Sequence, residues 1–214
     1  MNAIEQIRFA IDQDIFDNVQ LMHCLTDYKK PRDVISSLIK KGQIIRIRKG
    51  LFCFGELWRR NPISREMLAN LIYGPSVISL DYALSLYGFI PEQVSGITSV
   101  TTGRSKSFNT PLGNFYYTHL SESRFAFGNT INQSSGKNWL IAEPIKALAD
   151  KTWTDKRFKP TSPASFADYF FKDLRIEEHL LKDLLKENNV AELSEKYNTR
   201  KIAWMAEFLQ KYFK

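Results

Sequence analysis

PRDVISSLIKKGQIIRIRKGLFCFG, Pro31–Gly55, decides the fold of the first part of this chain. Pro31 suits the first turn of a helix, where its missing N–H leaves no bond unmade. Val34, Ile35, Leu38 and Ile39 then recur at helical spacing and form a buried stripe, and Gly42 closes the helix as a left-handed cap. The opposite face carries Arg32, Asp33, Ser36, Ser37, Lys40 and Lys41. Ile44, Ile45 and Ile47 and then Leu51, Phe52 and Phe54 read as two short strands joined tightly at Arg48-Lys49-Gly50.

Upstream, Ile4, Ile7, Phe9, Ala10 and Ile11 place a helix over about residues 2–12. Asp17 is the expected N-cap of a second, short helix bearing Val19, Leu21, Met22 and Leu25, and Thr26-Asp27-Tyr28 is a turn. Three short helices followed by a basic hairpin make a winged helix-turn-helix. The fold expected is therefore α+β: a winged helix over 1–57, then a mixed α+β domain over 58–214 with a small central sheet and a helical C-terminal part.

Charge follows the same division. The chain of 214 residues has a formal net charge of +7 and a pI near 9.3. Residues 1–26 sum to −3, residues 27–60 to +7 and the remainder to +3. An excess gathered on one helix and one hairpin points to an anionic partner, and on this fold to double-stranded DNA. Lys29, Lys30 and Arg32 stand at the leading end of the third helix, with Ser36, Ser37 and Lys40 along its exposed side; these are expected to face the major groove. Arg46, Arg48 and Lys49 on the hairpin are expected to meet phosphates or reach the minor groove.

Beyond Trp58 the pattern predicts a helix over about 64–72 ended by Gly74-Pro75, and another capped by Ser79 and stopped by Gly88 and Pro91. Ile97–Thr102 reads as a strand whose hairpin partner, Asn114–Leu120, lies across a loop containing Gly103, Asn109, Pro111 and Gly113. Trp139–Ala142 is a strand leading into a helix over about 144–153. After Pro163 the expected helices cover about 164–174, 176–187, 189–196 and 199–213.

Catalytic groupings are poor, and the chain reads as a non-enzyme with no catalytic residue, metal or cofactor. His23, His119 and His179 are far apart in sequence, and none sits in a metal-binding or triad motif. His119 lies in an aromatic strand and reads as a packed residue. Gly103-Arg104-Ser105-Lys106 lacks the apolar helix that a phosphate-binding loop needs; with Arg104 and Lys106 it reads as an ordinary solvated hairpin, a second phosphate contact being the alternative. Glu143, Asp150 and Lys151 are the one grouping a nuclease argument could use. A DNA-acting enzyme with a nuclease-like second domain and a ligand-sensing winged-helix regulator stand as alternatives. Cys24 and Cys53, flanked by apolar residues, are expected to be buried thiols of a cytoplasmic protein, and no apolar run reaches the roughly 18 residues of a membrane span.

Three segments together carry a family resemblance. KKGQIIRIRKGLFCFG (Lys40–Gly55) looks like the wing of AbiEi-type antitoxins, the transcriptional regulators of type IV toxin–antitoxin systems. VISLDYALSLYGFIPE (Val77–Glu92) followed by ITSVTTGR (Ile97–Arg104) resembles the start of their second domain. AEPIKALADKTW (Ala142–Trp153) is similar to a helix with a Pro-x-Lys-Ala-Leu-x-Asp pattern, matched by Pro144, Lys146, Ala147, Leu148 and Asp150. The resemblance spans about residues 15–155 and implies a repressor that binds inverted repeats in its own promoter. It also implies an antitoxin-like second domain that counters a cognate nucleotidyltransferase-like toxin in a phage-defence system. Antagonism of the toxin's action and a stable complex with it are both compatible with the resemblance, and no membrane partner is implied.

Overall fold

A computed structural model describes residues 2–134, 137–187 and 190–213. The chain is mixed α+β and divides into two compact units. The first runs to Leu68 and takes in Asn109–Gly113; the second holds Ala69–Phe108 and the chain from Asn114 onward. Expected domain limits at 57/58 thus compare with a compact division at 68/69.

In the first unit the order is α1 (Ala3–Ala10), β1 (Ile15–Asp17), α2 (Asn18–His23), α3 (Pro31–Lys40), β2 (Ile44–Arg48) and β3 (Leu51–Phe54). Capping boxes start the first two helices. Asn2 accepts from the Glu5 N–H at 3.0 Å, Asp17 accepts from the Gln20 N–H at 2.8 Å, and each partner side chain returns a bond to its cap's backbone. In α3, Pro31 takes the first position, Ile35 and Leu38 are buried, and Val34 and Ile39 pack at the rim of the core. Gly42, at φ +67, ends the helix with the Gln43 N–H donating to the Leu38 carbonyl at 3.0 Å.

The strands form an antiparallel sheet in the order β1-β3-β2. β1 has three residues, too few for a period-two pattern to announce it, and only its central Phe16 is buried. A bulge between Arg46 and Arg48 leads into the Lys49-Gly50 turn, where Gly50 adopts φ +84. The apolar faces converge on Ile4, Ile7, Phe16, Leu21, Leu38 and Phe54, with the Phe16 and Phe54 rings 4.7 Å apart.

The second unit begins within α4 (Arg65–Ile72). It continues with β4 (Ser76–Ile78), α5 (Leu80–Leu86), β5 (Ile97–Thr101), β6 (Lys106–Thr110) and β7 (Gly113–His119), whose ends at Asn109–Thr110 and Gly113 count with the first unit, and then α6 (Glu122–Phe125), β8 (Asn129–Ser134), β9 (Lys137–Ala142) and α7 (Pro144–Thr154). α8 (Ser165–Asp168) passes into wider π turns over Tyr169–Asp173 before α9 (Glu178–Glu187), α10 (Val190–Tyr197) and α11 (Arg200–Tyr212). The expected start of a helix at Asn189 lies outside the described residues. Six strands run in the order β6-β7-β5-β4-β9-β8.

Here the expected hairpin is corrected: Ile97–Thr101 and Phe115–His119 pair in parallel, and the segment expected to be a loop supplies β6, which flanks β7 at the sheet's edge. Lys-Ser-Phe-Asn-Thr is nearly apolar-free, yet an edge strand needs only its backbone paired. Its one large apolar residue, Phe108, packs edge-on to Tyr117 at 5.7 Å.

Ser79 occupies the expected N-cap position of α5, but its hydroxyl donates to Asp150 Oδ2 at 2.6 Å instead of capping the helix. Thr98 of β5 takes over the cap, accepting the Tyr82 N–H at 3.0 Å and donating to the Ser79 carbonyl at 2.7 Å.

Candidate nucleic-acid interface

Lys29, Lys30, Arg32, Ser36, Ser37 and Lys40, together with Arg46, Arg48 and Lys49 on the hairpin, are all exposed. The reason is local. Core contacts claim Ile35 and Leu38 on α3, so its intervening residues turn outward; on β2, Arg46 shares the sheet face of Ile44 and is exposed nearer the hairpin turn. Among the described residues none of these cations forms an ion pair.

The unit's other arginines are engaged. Arg8 donates to Asp14 at 2.7 Å, Arg60 pairs with Asp12, and Arg59 with Glu56 at 3.1 Å. Asp14 also accepts the N–H groups of Arg60 and Asn61, each at 2.9 Å. Burial opposes its ionisation, but those two N–H bonds and Arg8 outweigh it and hold the carboxyl below the usual aspartate range. Asp12, Asp14 and Glu56 are thereby held by these arginines, and among the described residues the cations of α3 and the hairpin are left without ion-pair partners.

A cleft of about 420 Å³ separates α3 from the β2–β3 turn. Arg32, Ser36, Arg46 and Lys49 line it, above a floor of Met22, Ile35, Ile39 and Phe52. Lys29, Lys30, Ser37, Lys40 and Arg48 lie outside that lining. The Arg48 guanidinium folds back on the turn, donating to the Lys49 carbonyl at 3.3 Å, and the Ser36 hydroxyl donates to the Arg32 carbonyl at 2.9 Å.

Asn18, which sequence reasoning passed over, joins the cleft wall, and its N–H donates to the Gly50 carbonyl at 3.1 Å. That bond ties α2 to the hairpin turn. Its one sequence signal is its place directly after the N-cap Asp17.

The nuclease grouping fares differently. Asp150 has no solvent exposure: it is bonded by Lys146 at 2.9 Å, by Ser79 and by the Tyr197 hydroxyl. Lys146 also donates to the Arg124 carbonyl at 3.0 Å. Burial first, and then the Asp150 charge, raises the Tyr197 phenol well above 10. Lys151 points away to Asp81 at 2.5 Å. Residues of the Pro-x-Lys-Ala-Leu-x-Asp pattern thus knot α7 to α10 and to the start of α5.

Lys106 lies over the Tyr73 ring at 5.1 Å, Arg104 is exposed, and His119 Nδ1 is 2.9 Å from the Gly103 carbonyl. Cys24 and Cys53 are buried free thiols, and burial pushes Cys53 up to about 11. A second cleft, of about 540 Å³, is lined by Thr98, Tyr116, Lys151, Arg157 and Asp173 among others. Among the described residues no helix is long and apolar enough to cross a membrane.

Neither a protein-family model nor a curated protein matches the chain. Among solved structures it is similar to the crystal structure of the RV2827C protein from Mycobacterium tuberculosis, with a TM-score of 0.64 and 13% sequence identity. The match covers 97% of this chain and 74% of that one. At that identity the likeness is one of fold alone.

Proposed function

We propose that the first unit is a winged helix and that the chain is a sequence-specific, double-stranded DNA-binding repressor. One observation carries this reading: a set of exposed cations without ion-pair partners among the described residues, on α3 and the β2–β3 hairpin, of which Arg32, Arg46 and Lys49 meet, with Ser36, across one cleft. The order helix, strand, helix, helix, strand, strand with the sheet arranged β1-β3-β2 supports the same reading, because it leaves α3 and the hairpin turn as neighbouring projections. α3 then enters the major groove and the hairpin holds the backbone.

A mobility-shift titration on the DNA upstream of the chain's own gene and on scrambled DNA, each at two salt concentrations, tests it. Preference for the upstream DNA that survives the higher salt is the expected result. The absence of any binding overturns the reading. Lys49→Ala is expected to weaken all DNA sequences alike and to lower the salt slope by about one unit.

On the resemblance of its three sequence segments, the repressor is further proposed to be an AbiEi-type antitoxin that autoregulates its operon. Co-expression with a nucleotidyltransferase-like toxin encoded beside it should restore growth. Failure to do so removes the antitoxin role and leaves the repressor.

A further inference from the structure

α3 carries one carboxylate, and its position is odd for a helix that approaches a polyanion. Asp33 is exposed and follows Lys29, Lys30 and Arg32 directly. At 3.6 residues per turn it lies about half a turn from the buried Ile35 and Leu38, on the line that points most directly away from the unit's core. Lys40, two turns on, shares that line, and Ser36 and Ser37 flank it. Among the described residues Asp33 enters no ion pair and no side-chain hydrogen bond, although cations surround it.

A carboxylate at the centre of this face is repelled by phosphates, so it weakens binding to the backbone. It accepts hydrogen bonds and donates none. In the major groove the donors are the exocyclic amino groups of cytosine and adenine. Adenine sets its N7 acceptor beside that amino group, which opposes a carboxylate and suits an amide. Cytosine N4 has no such acceptor on its own edge. Resting on the winged-helix reading, we propose that Asp33 is a specificity-determining residue that accepts a hydrogen bond from cytosine N4 and so selects a C·G pair at one position of the operator.

The same charge also suits the first turn of a helix, where it faces the positive end of the dipole. The two roles separate experimentally. The wild-type chain, Asp33→Ala and Asp33→Asn are each used to select duplexes from a randomised pool, and the affinities of the recovered sites are measured alongside thermal melting. The expected wild-type motif contains a cytosine at one position. Asp33→Ala loses about tenfold discrimination there and binds scrambled DNA more tightly, while Asp33→Asn moves the preference toward adenine.

Unchanged motifs in both variants, with only a lowered melting temperature, reduce Asp33 to a helix-dipole residue and overturn the proposal while leaving the DNA-binding reading intact. A wild-type motif with adenine at the Asp33-dependent position overturns the base assignment. Salt-sensitive binding without any motif overturns base reading but keeps DNA binding, and no binding at all overturns both.

Discussion

Lys146 and Asp150 are both withdrawn from solvent, and each holds the other's charge at 2.9 Å. Removing one partner of a buried pair leaves an unmatched charge in a poorly polarisable interior, which destabilises by about 3–5 kcal/mol. Lys146→Met is therefore expected to lower unfolding stability by that amount in a denaturant titration. The double variant Lys146→Met, Asp150→Leu should lie closer to wild type than the sum of the single changes. Tyr197 adds a pH dependence. Its phenol is raised in the folded chain, so its stabilising contribution is complete below about pH 10, the unfolded value, and is lost as pH climbs beyond it. Stability should fall above that pH, and less steeply in Tyr197→Phe. The sequence pattern identified Lys146 and Asp150 but assigned neither a partner. Ser79 lies 71 positions from Asp150 and Tyr197 lies 47, and no local periodicity links residues so distant.

Elements with a full period were legible, and those without one were not. α3 offered a proline start, a four-residue apolar stripe and a glycine stop, and its observed span, Pro31–Lys40, follows them. β1, β4 and β8 escaped notice because β1 and β4 have three residues each and β8, Asn-Thr-Ile-Asn-Gln-Ser, is polar apart from Ile131. β6 hid for the same reason and carried the parallel pairing of β5 and β7 with it. The exposed cations could be listed from the chain, but their grouping could not, since the cleft depends on how the hairpin turn faces α3. That turn is anchored at its base by Gly55, whose N–H donates to the Gln43 carbonyl at 2.8 Å. A Cβ at Gly55 would lie 1.9 Å from the Gly42 carbonyl oxygen, a backbone atom that cannot step aside. Gly55→Ala is accordingly expected to destabilise the first unit by about 1–3 kcal/mol, the usual range for overpacking. A melting curve unchanged from wild type would show that the Gly42–Gln43 segment yields freely.

At the scale of the molecule, charge and connectivity divide the chain in different places. The +7 of residues 27–60 falls wholly inside the first unit, yet that unit is not one contiguous stretch: Asn109–Gly113 belongs to it as well. Gly113 explains part of this. A Cβ there would stand 2.7 Å from Arg65 Nη2, so the two pack closely. A fragment ending at Leu68 lacks that cover and should show weaker amide hydrogen-exchange protection at Ile11 and Phe54, whose N–H groups donate to the Ile7 and Asp14 carbonyls, than the full chain. Equal protection would make the returning segment dispensable. The return of the chain also bears on descent. A gene segment ending anywhere before residue 109 omits a piece of the first unit, and one beginning after residue 68 takes up a piece that belongs to its neighbour. A gene segment carrying only one unit leaves the first without Asn109–Gly113, so, where that cover is needed, transfer between genes is expected to move the two units together.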